Sequence, residues 1–157
     1  MSRKLCITAV DGQTGHLIAE LLLTHPDFSK CFSSIAGLAM DPKHEFCQNL
    51  TSLGALIVQH KPGRQREMTK ALKQMDVDTI CLIPPTHVEK YDITLELINA
   101  ARAADIPNVC FISAAGADLA DPVKQPRLRE FIDMENKILI TKGDTSTKTG
   151  HSPVVIR

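Results

Sequence analysis

The sequence contains no tryptophan and a single tyrosine, Tyr91, so there is no indole whose quenching could report a ligand. It has no net charge, because 18 lysines and arginines balance 18 aspartates and glutamates. That balance gives no electrostatic reason to expect nucleic acid or an anionic membrane as a partner. No apolar run approaches the ~20 residues that span a bilayer. The N-terminal MSRKLCITAVDG leads from a short apolar stretch straight into a glycine turn, unlike a signal peptide with its cleavage site. The expected location is the cytoplasm, with the nucleus as a second compartment.

The 5 cysteines are odd in number and none are spaced as CxxC, which argues against a disulfide framework. Cys6, Cys81 and Cys110 lie inside apolar runs and read as small buried hydrophobes. The 6 histidines show no HExxH or similar spacing, so no metal site is expected.

What is present is an alternation. Six apolar runs lean towards strands: residues 5–10, 33–39, 55–59, 79–83, 108–113 and 152–157. Most are continuous rather than alternating, as in strands covered on both faces of a parallel sheet. Helical patterns separate them at 16–23, 43–53, 65–75, 89–104 and 126–142. Pro26 and Pro107 stop the first and fourth, Gly54 and Gly143 close the second and fifth, and Pro126 opens the fifth. Residues 114–124 and 143–151 read as loops. The fold class is α/β: a doubly wound parallel sheet of Rossmann type with six strands, in one domain over residues 1–157. The sequence stops within an apolar strand, at VVIR, and the expectation is a domain truncated at its C-terminus.

The stretch LCITAVDGQTGHLIAELLL has the layout of a dinucleotide-binding loop. In this reading Gly12 makes the tight turn and Gly15 lets backbone amides approach a pyrophosphate. A helix starting near His16 would aim its positive end at the phosphates. Ile18 stands where the third, packing glycine is expected, which would hold the helix off the sheet or shift its register. At the end of the second strand, GLAMDPKH places Met40 where a charged residue selects the cofactor. Asp41 before Pro42 suits a helix cap, and Lys43 and His44 suit either a 2′-phosphate contact or a solvated helix start. NADP and NAD both stay open.

The segments VDGQTG, TICLIPPTHVEKYDITLELINAARAADIPNVCFISAAGADL and QPRLREFIDMENKI together resemble the NmrA-like family. These are atypical members of the short-chain dehydrogenase/reductase superfamily, and the likeness to their fungal branch extends over residues 4–157. The resemblance implies a Rossmann fold that binds NAD(P), commonly NADP(H). It implies cofactor contacts from Gly12, Gln13, Thr14, Gly15 and His16, and from Met40, where many relatives carry a basic residue. It also implies contacts from Pro84, Pro85 and Thr86 after the fourth strand, and from Ser113 and Ala114 after the fifth.

The superfamily's catalytic YxxxK pair is absent, because Tyr91 is followed by Leu95 four positions on. Tyr91 is expected to pack. The resemblance leaves two candidate catalytic residues. Ser113 matches the substrate-orienting serine, although a strand-end hydroxyl can also simply satisfy backbone. Lys137 is the lysine nearest the zone where relatives carry one, although a solvated helix lysine fits as well. Arg127 and Arg129 are expected to pair with Glu130 and Asp133 on a charged helix face. Relatives continue into a substrate lobe, and the expectation is that this lobe is missing here.

Three roles follow from the resemblance: an NAD(P)H-dependent reductase of a small molecule, a non-catalytic redox sensor acting on a protein partner, or a truncated inactive remnant. The partners are accordingly a dinucleotide with a small-molecule substrate or a regulatory protein, and neither nucleic acid nor membrane.

Overall fold

Every strand of the sheet runs parallel to its neighbours. The strands are β1 (Arg3–Ile7), β2 (Phe32–Ala39), β3 (Leu56–Gln59), β4 (Thr79–Leu82), β5 (Asn108–Ile112) and β6 (Ser152–Ile156). This computed structural model describes residues 2–140 and 152–157. The order β3-β2-β1-β4-β5-β6 is that of a doubly wound, Rossmann-type sheet. It reverses between β1 and β4, where Leu5 lies opposite Thr79 and Ile7 opposite Cys81. In such sheets ligands bind beyond the carboxyl ends of the strands at that switch.

Among the described residues five α-helices connect the strands: α1 (Gln13–Thr24), α2 (Glu45–Ser52), α3 (Gln65–Met75), α4 (Lys90–Ala103) and α5 (Pro126–Leu139). Alternate strand residues enter opposite layers, which explains why whole runs are apolar. Cys6, Ile80, Leu82 and Phe111 meet Met68, Leu72, Leu97 and Met134 of α3, α4 and α5. Leu5, Ile7, Ile35 and Cys81 face the other way, towards Ala19 of α1 and Cys47 and Leu50 of α2. Phe111 is fully buried, and its burial alone is worth about 2–3 kcal/mol. Tyr91 packs against the first of these layers, as expected.

Boundaries shift where local chemistry intervenes. β1 ends at Ile7 rather than Val10, because Ala9 adopts a left-handed φ of 51°. α1 starts at Gln13, three residues earlier than expected, with Gly12 as its N-cap. α2 starts at Glu45 rather than Lys43, because Nδ1 of His44 accepts from the Phe46 amide and caps the helix there. Asp41 does not cap α2 itself; its Oδ1 accepts the Lys43 amide in the turn before it. Just past α2, Gly54 takes φ 100°, the role of a C-terminal glycine. The expected end of the fifth helix at 142, Gly143 and the loop 143–151 lie outside the described residues. Among the described residues no helix is long and apolar enough to cross a membrane.

Candidate functional site

The turn from β1 into α1 lies at the switch between β1 and β4. The Thr8 amide donates to Cys81 of β4 and the Val10 amide to Leu38 of β2, so the loop is pinned to both neighbours. The Gly12 amide donates to the Ala9 carbonyl at 3.0 Å, closing a tight turn through the left-handed Ala9. The His16 amide donates to the Gly12 carbonyl and begins the helical ladder. The amides of Gln13, Thr14 and Gly15 therefore precede the first α-helical bond, where a helix has no internal acceptor for them. No side chain caps this end and no acidic residue stands in its first turn. Three amides and the positive dipole end are thus presented together, which is the geometry that holds a phosphate.

Gly15 sets how near the helix comes to the strand. A Cβ there would stand 2.3 Å from the Ala9 carbonyl oxygen and 2.9 Å from that of Thr8, far inside contact distance. Gly15 is therefore the packing glycine, and Ile18 does not occupy that place. Ile18 lies one turn further on, half-buried against the α1–α2 layer, and neither lifts the helix nor shifts its register. The loop reads Ala9, Gly12, Gly15 at three-residue spacing, with alanine at the left-handed first position. Gly12, Gln13 and Thr14 are exposed, whereas Gly15 and His16 are buried. His16 turns inwards and stacks on Phe46 of α2, with ring centroids 4.3 Å apart. Its imidazole is thus engaged by α2, which leaves its backbone for the expected contact with a cofactor.

A narrow cleft opens beside the loop. Met40 at the end of β2 and Pro85 after β4 line it together with Ala9, Leu38, His60 and Ile83. Pro84 is half-buried and Thr86 is exposed, on either side of Pro85 in the chain. His60, at the end of β3, is buried, and its Nε2 has no hydrogen-bond partner. That nitrogen lies 3.7 Å from Oε1 of Glu96, whose other oxygen accepts the Gly63 amide at 2.6 Å. Burial lowers the pKa of His60, against the opposing pull of Glu96.

At the end of β5 the Ser113 amide donates to Ile156 of β6, and Ala114 follows half-buried. The Ser113 hydroxyl donates to Oε1 of Glu135 at 2.5 Å. Glu135 is itself buried on α5, and Arg157 grips both of its oxygens, at 3.0 and 2.7 Å. Arg157 reaches on to Asp118 at 3.2 Å. Arg157 holds the Glu135 carboxyl below its ordinary range, with burial opposing and Ser113 adding to the effect. The serine hydroxyl is thus engaged in a buried polar chain. Lys137, two residues beyond Glu135, is exposed on another face of α5 and is not brought to Ser113.

The buried cation of this region is Lys90, at the start of α4. Its Nζ donates to Glu130 at 2.5 Å and to the Arg127 carbonyl at 2.7 Å, and lies 5.3 Å from the centre of the Phe131 ring. The expected charged face of α5 is not what forms. Arg127 donates to the His87 carbonyl and Arg129 to that of Asp118, so both arginines tie α5 to loops. Sequence reasoning missed Lys90, Glu135 and Arg157, whose partners lie far away in the chain. It also missed Asp11, which stands inside the quoted loop.

This is the architecture of a Rossmann-type dinucleotide-binding fold, and comparison with solved structures agrees at the level of fold. No protein-family signature matches the chain, and no curated protein does. Solved structures do match. The triphenylmethane reductase of Citrobacter sp., complexed with NADP(H), superposes with a TM-score of 0.72 at 18% identity, over 88% of this chain and 46% of that one. An NADPH-dependent quinone oxidoreductase from Escherichia coli, complexed with NADPH, gives 0.70 at 29% identity, over 88% and 45%. A short-chain dehydrogenase/reductase of the wide type from Veillonella parvula, in complex with NADP, gives 0.70 at 13% identity, over 100% and 69%. The chain spans a little under half the length of the first two.

Proposed function

We propose that residues 1–157 form one NAD(P)-binding domain of the NmrA-like, atypical short-chain dehydrogenase/reductase kind. Its role is that of an NAD(P)H-dependent reductase of a small molecule. The observation that carries this reading is the set of amides at Gln13, Thr14 and Gly15, uncapped at the switch between β1 and β4. The site fits a dinucleotide: Gly12 and Gly15 admit its pyrophosphate, and a side chain on Gly15 would close the approach of α1. Met40 and Pro85 would flank its adenosine half, and Pro84, Thr86, Ser113 and Ala114 would border its nicotinamide. The cofactor supplies the hydride chemistry; the chain binds and orients it.

A second reading is favoured by three specific observations. The Ser113 hydroxyl is engaged by Glu135, Lys137 is exposed, and no YxxxK pair exists. Nucleotide binding without turnover, as in a redox sensor acting on a protein partner, needs none of these groups. Calorimetric titration with NADPH, NADP⁺, NADH and NAD⁺ tests the shared premise. Micromolar binding, about −8 kcal/mol, is expected. Absence of binding to all four would overturn both readings. Consumption of reduced cofactor across a panel of carbonyl and quinone acceptors then separates reductase from sensor.

A further inference from the structure

Resting on the reading of this cleft as a dinucleotide site, we infer that Asp11 makes the chain select NAD(H) over NADP(H), opposite to its solved neighbours. The residue that chooses between these cofactors stands at the carboxyl end of β2, where a carboxylate accepts from ribose hydroxyls and an arginine accommodates a 2′-phosphate. Here that carboxylate comes from the glycine loop. Oδ2 of Asp11 accepts the backbone amide of Asp41 at 2.9 Å, which fixes an acidic group of the loop against the tip of β2.

The surroundings reinforce the sign of the charge. Met40, directly after β2, turns an apolar side chain into the cleft and offers no cation. Asp41 adds a second carboxylate, held by the Lys43 amide at 3.0 Å, and Glu45 a third in the first turn of α2. Asp11 and Asp41, after burial itself, push the thiol of Cys47 up to about 11, so both carboxylates bear on the start of α2. Of the bases nearby, Lys43 is exposed, and Nδ1 of His44 is occupied as an acceptor of the Phe46 amide. Beyond β3, Arg64 is paired with Glu67 at 2.8 Å. A 2′-phosphate at the tip of β2 would meet the charges of Asp11 and Asp41, whereas a 2′-hydroxyl can donate to a carboxylate.

The test is titration of the chain with NAD⁺ and NADP⁺, repeated with Asp11→Asn, which keeps an oxygen for the Asp41 amide and removes the charge. NAD⁺ is expected to bind at least about tenfold tighter to the native chain. In Asp11→Asn that ratio should collapse through a gain for NADP⁺, and raising salt should narrow it in the native chain by screening. Asp41→Asn is the second variant should the first fail to fold, and a smaller change of the same direction is expected. Equal or tighter binding of NADP⁺ by the native chain overturns the inference while leaving the dinucleotide reading intact. So does an unchanged ratio in both variants. Failure to bind either nucleotide overturns the dinucleotide reading, and the inference with it.

Discussion

Thr8 and Ile83 hold each other by both of their hydrogen-bonding senses. The Thr8 hydroxyl donates to the Ile83 carbonyl at 3.1 Å and accepts from the Ile83 amide at 2.7 Å. The residues are 75 apart in sequence, and the pair is buried at the point where the strand order reverses. A β-branched hydroxyl here does what no apolar residue of the same shape can. It extends the pairing of β1 and β4 past the ends of both strands and fixes the approach to Pro84.

Thr8→Val tests this directly, since valine keeps the shape and removes the hydroxyl. Leaving the Ile83 amide and carbonyl buried without partners should cost about 1–3 kcal/mol. Thermal unfolding should move down accordingly, by several degrees for a chain of this size. Unchanged stability would show that water or backbone takes over both bonds.

The register of the glycine loop is tested by an opposed pair. Gly15→Ala must displace α1 from the Ala9 carbonyl and should weaken dinucleotide binding at least tenfold while lowering stability by about 1–3 kcal/mol. Ile18→Gly restores the letter expected from sequence alone but removes a half-buried side chain from the α1–α2 layer. It should therefore lower stability and leave affinity no better. Tighter binding by Ile18→Gly in calorimetry would mean that Ile18, and not Gly15, governs the approach.

Ala9 carries a left-handed backbone that costs a residue with a Cβ roughly 1–2 kcal/mol. Ala9→Gly should be neutral or stabilising in thermal unfolding, in spite of the added freedom of the unfolded chain. The same replacement at Ala19, fully buried in α1, should cost about 1 kcal/mol or more. Loss of stability at position 9 equal to that at 19 would contradict the assignment of Ala9 to the first glycine place.

Glu135 makes part of the stability dependent on pH. Its carboxyl is depressed in the folded chain, chiefly by Arg157, from an ordinary value of 4.5. Its contribution is therefore complete above pH 4.5 and is lost as pH falls through the lower, folded value. Glu135→Gln should flatten the acid limb of the stability profile and lower the melting temperature at pH 7 by about 5 °C. An acid limb identical to that of the native chain would remove Glu135 as its source.

Two of the cysteines lie side by side, Cys81 of β4 in register with Cys110 of β5. The neighbouring Cys81 holds the Cys110 thiol down, at about 7, against burial. Cys110 is half-buried, whereas Cys6 and Cys47 are fully buried, with thiols pushed up to about 12 and about 11. Alkylation followed by mass spectrometry should therefore modify Cys110 with a rate that rises through pH 7, and leave Cys6 and Cys47 untouched. Cys81→Ala should shift that pH profile upwards. A rate at Cys110 that rises only above pH 8.5 in the native chain would contradict the thiol pairing.

The fold was legible because its signals are local. Continuous apolar runs marked strands covered on both faces, and Pro107, Pro126 and Gly54 marked helix ends without any knowledge of partners. The loop was legible in kind but misplaced in register. In sequence Gly12 and Gly15 read as the first and second glycines because Ala9 is written with a different letter, although its backbone performs the first glycine's turn. Lys90, Glu135 and Arg157 were invisible for another reason. Nothing near Glu135 in sequence indicates that it will meet Ser113 and Arg157, each 22 residues away. Arg127 and Arg129 misled because helical spacing offered them acids at hand, while the carbonyls of His87 and Asp118 won in the folded chain.

The strand order also governs when the protein can take shape. β1 is made first yet lies in the interior of the sheet, with β2 on one side and β4 on the other. As the chain leaves the ribosome, β1 finds one neighbour within residues 32–39 but waits for residues 79–82 to cover its second edge. Until then the glycine turn faces no wall. Contacts so distant close slowly and leave an open edge exposed during synthesis. A nucleotide that binds only the joined halves would draw the nascent chain towards completion, a ligand acting as a late folding aid.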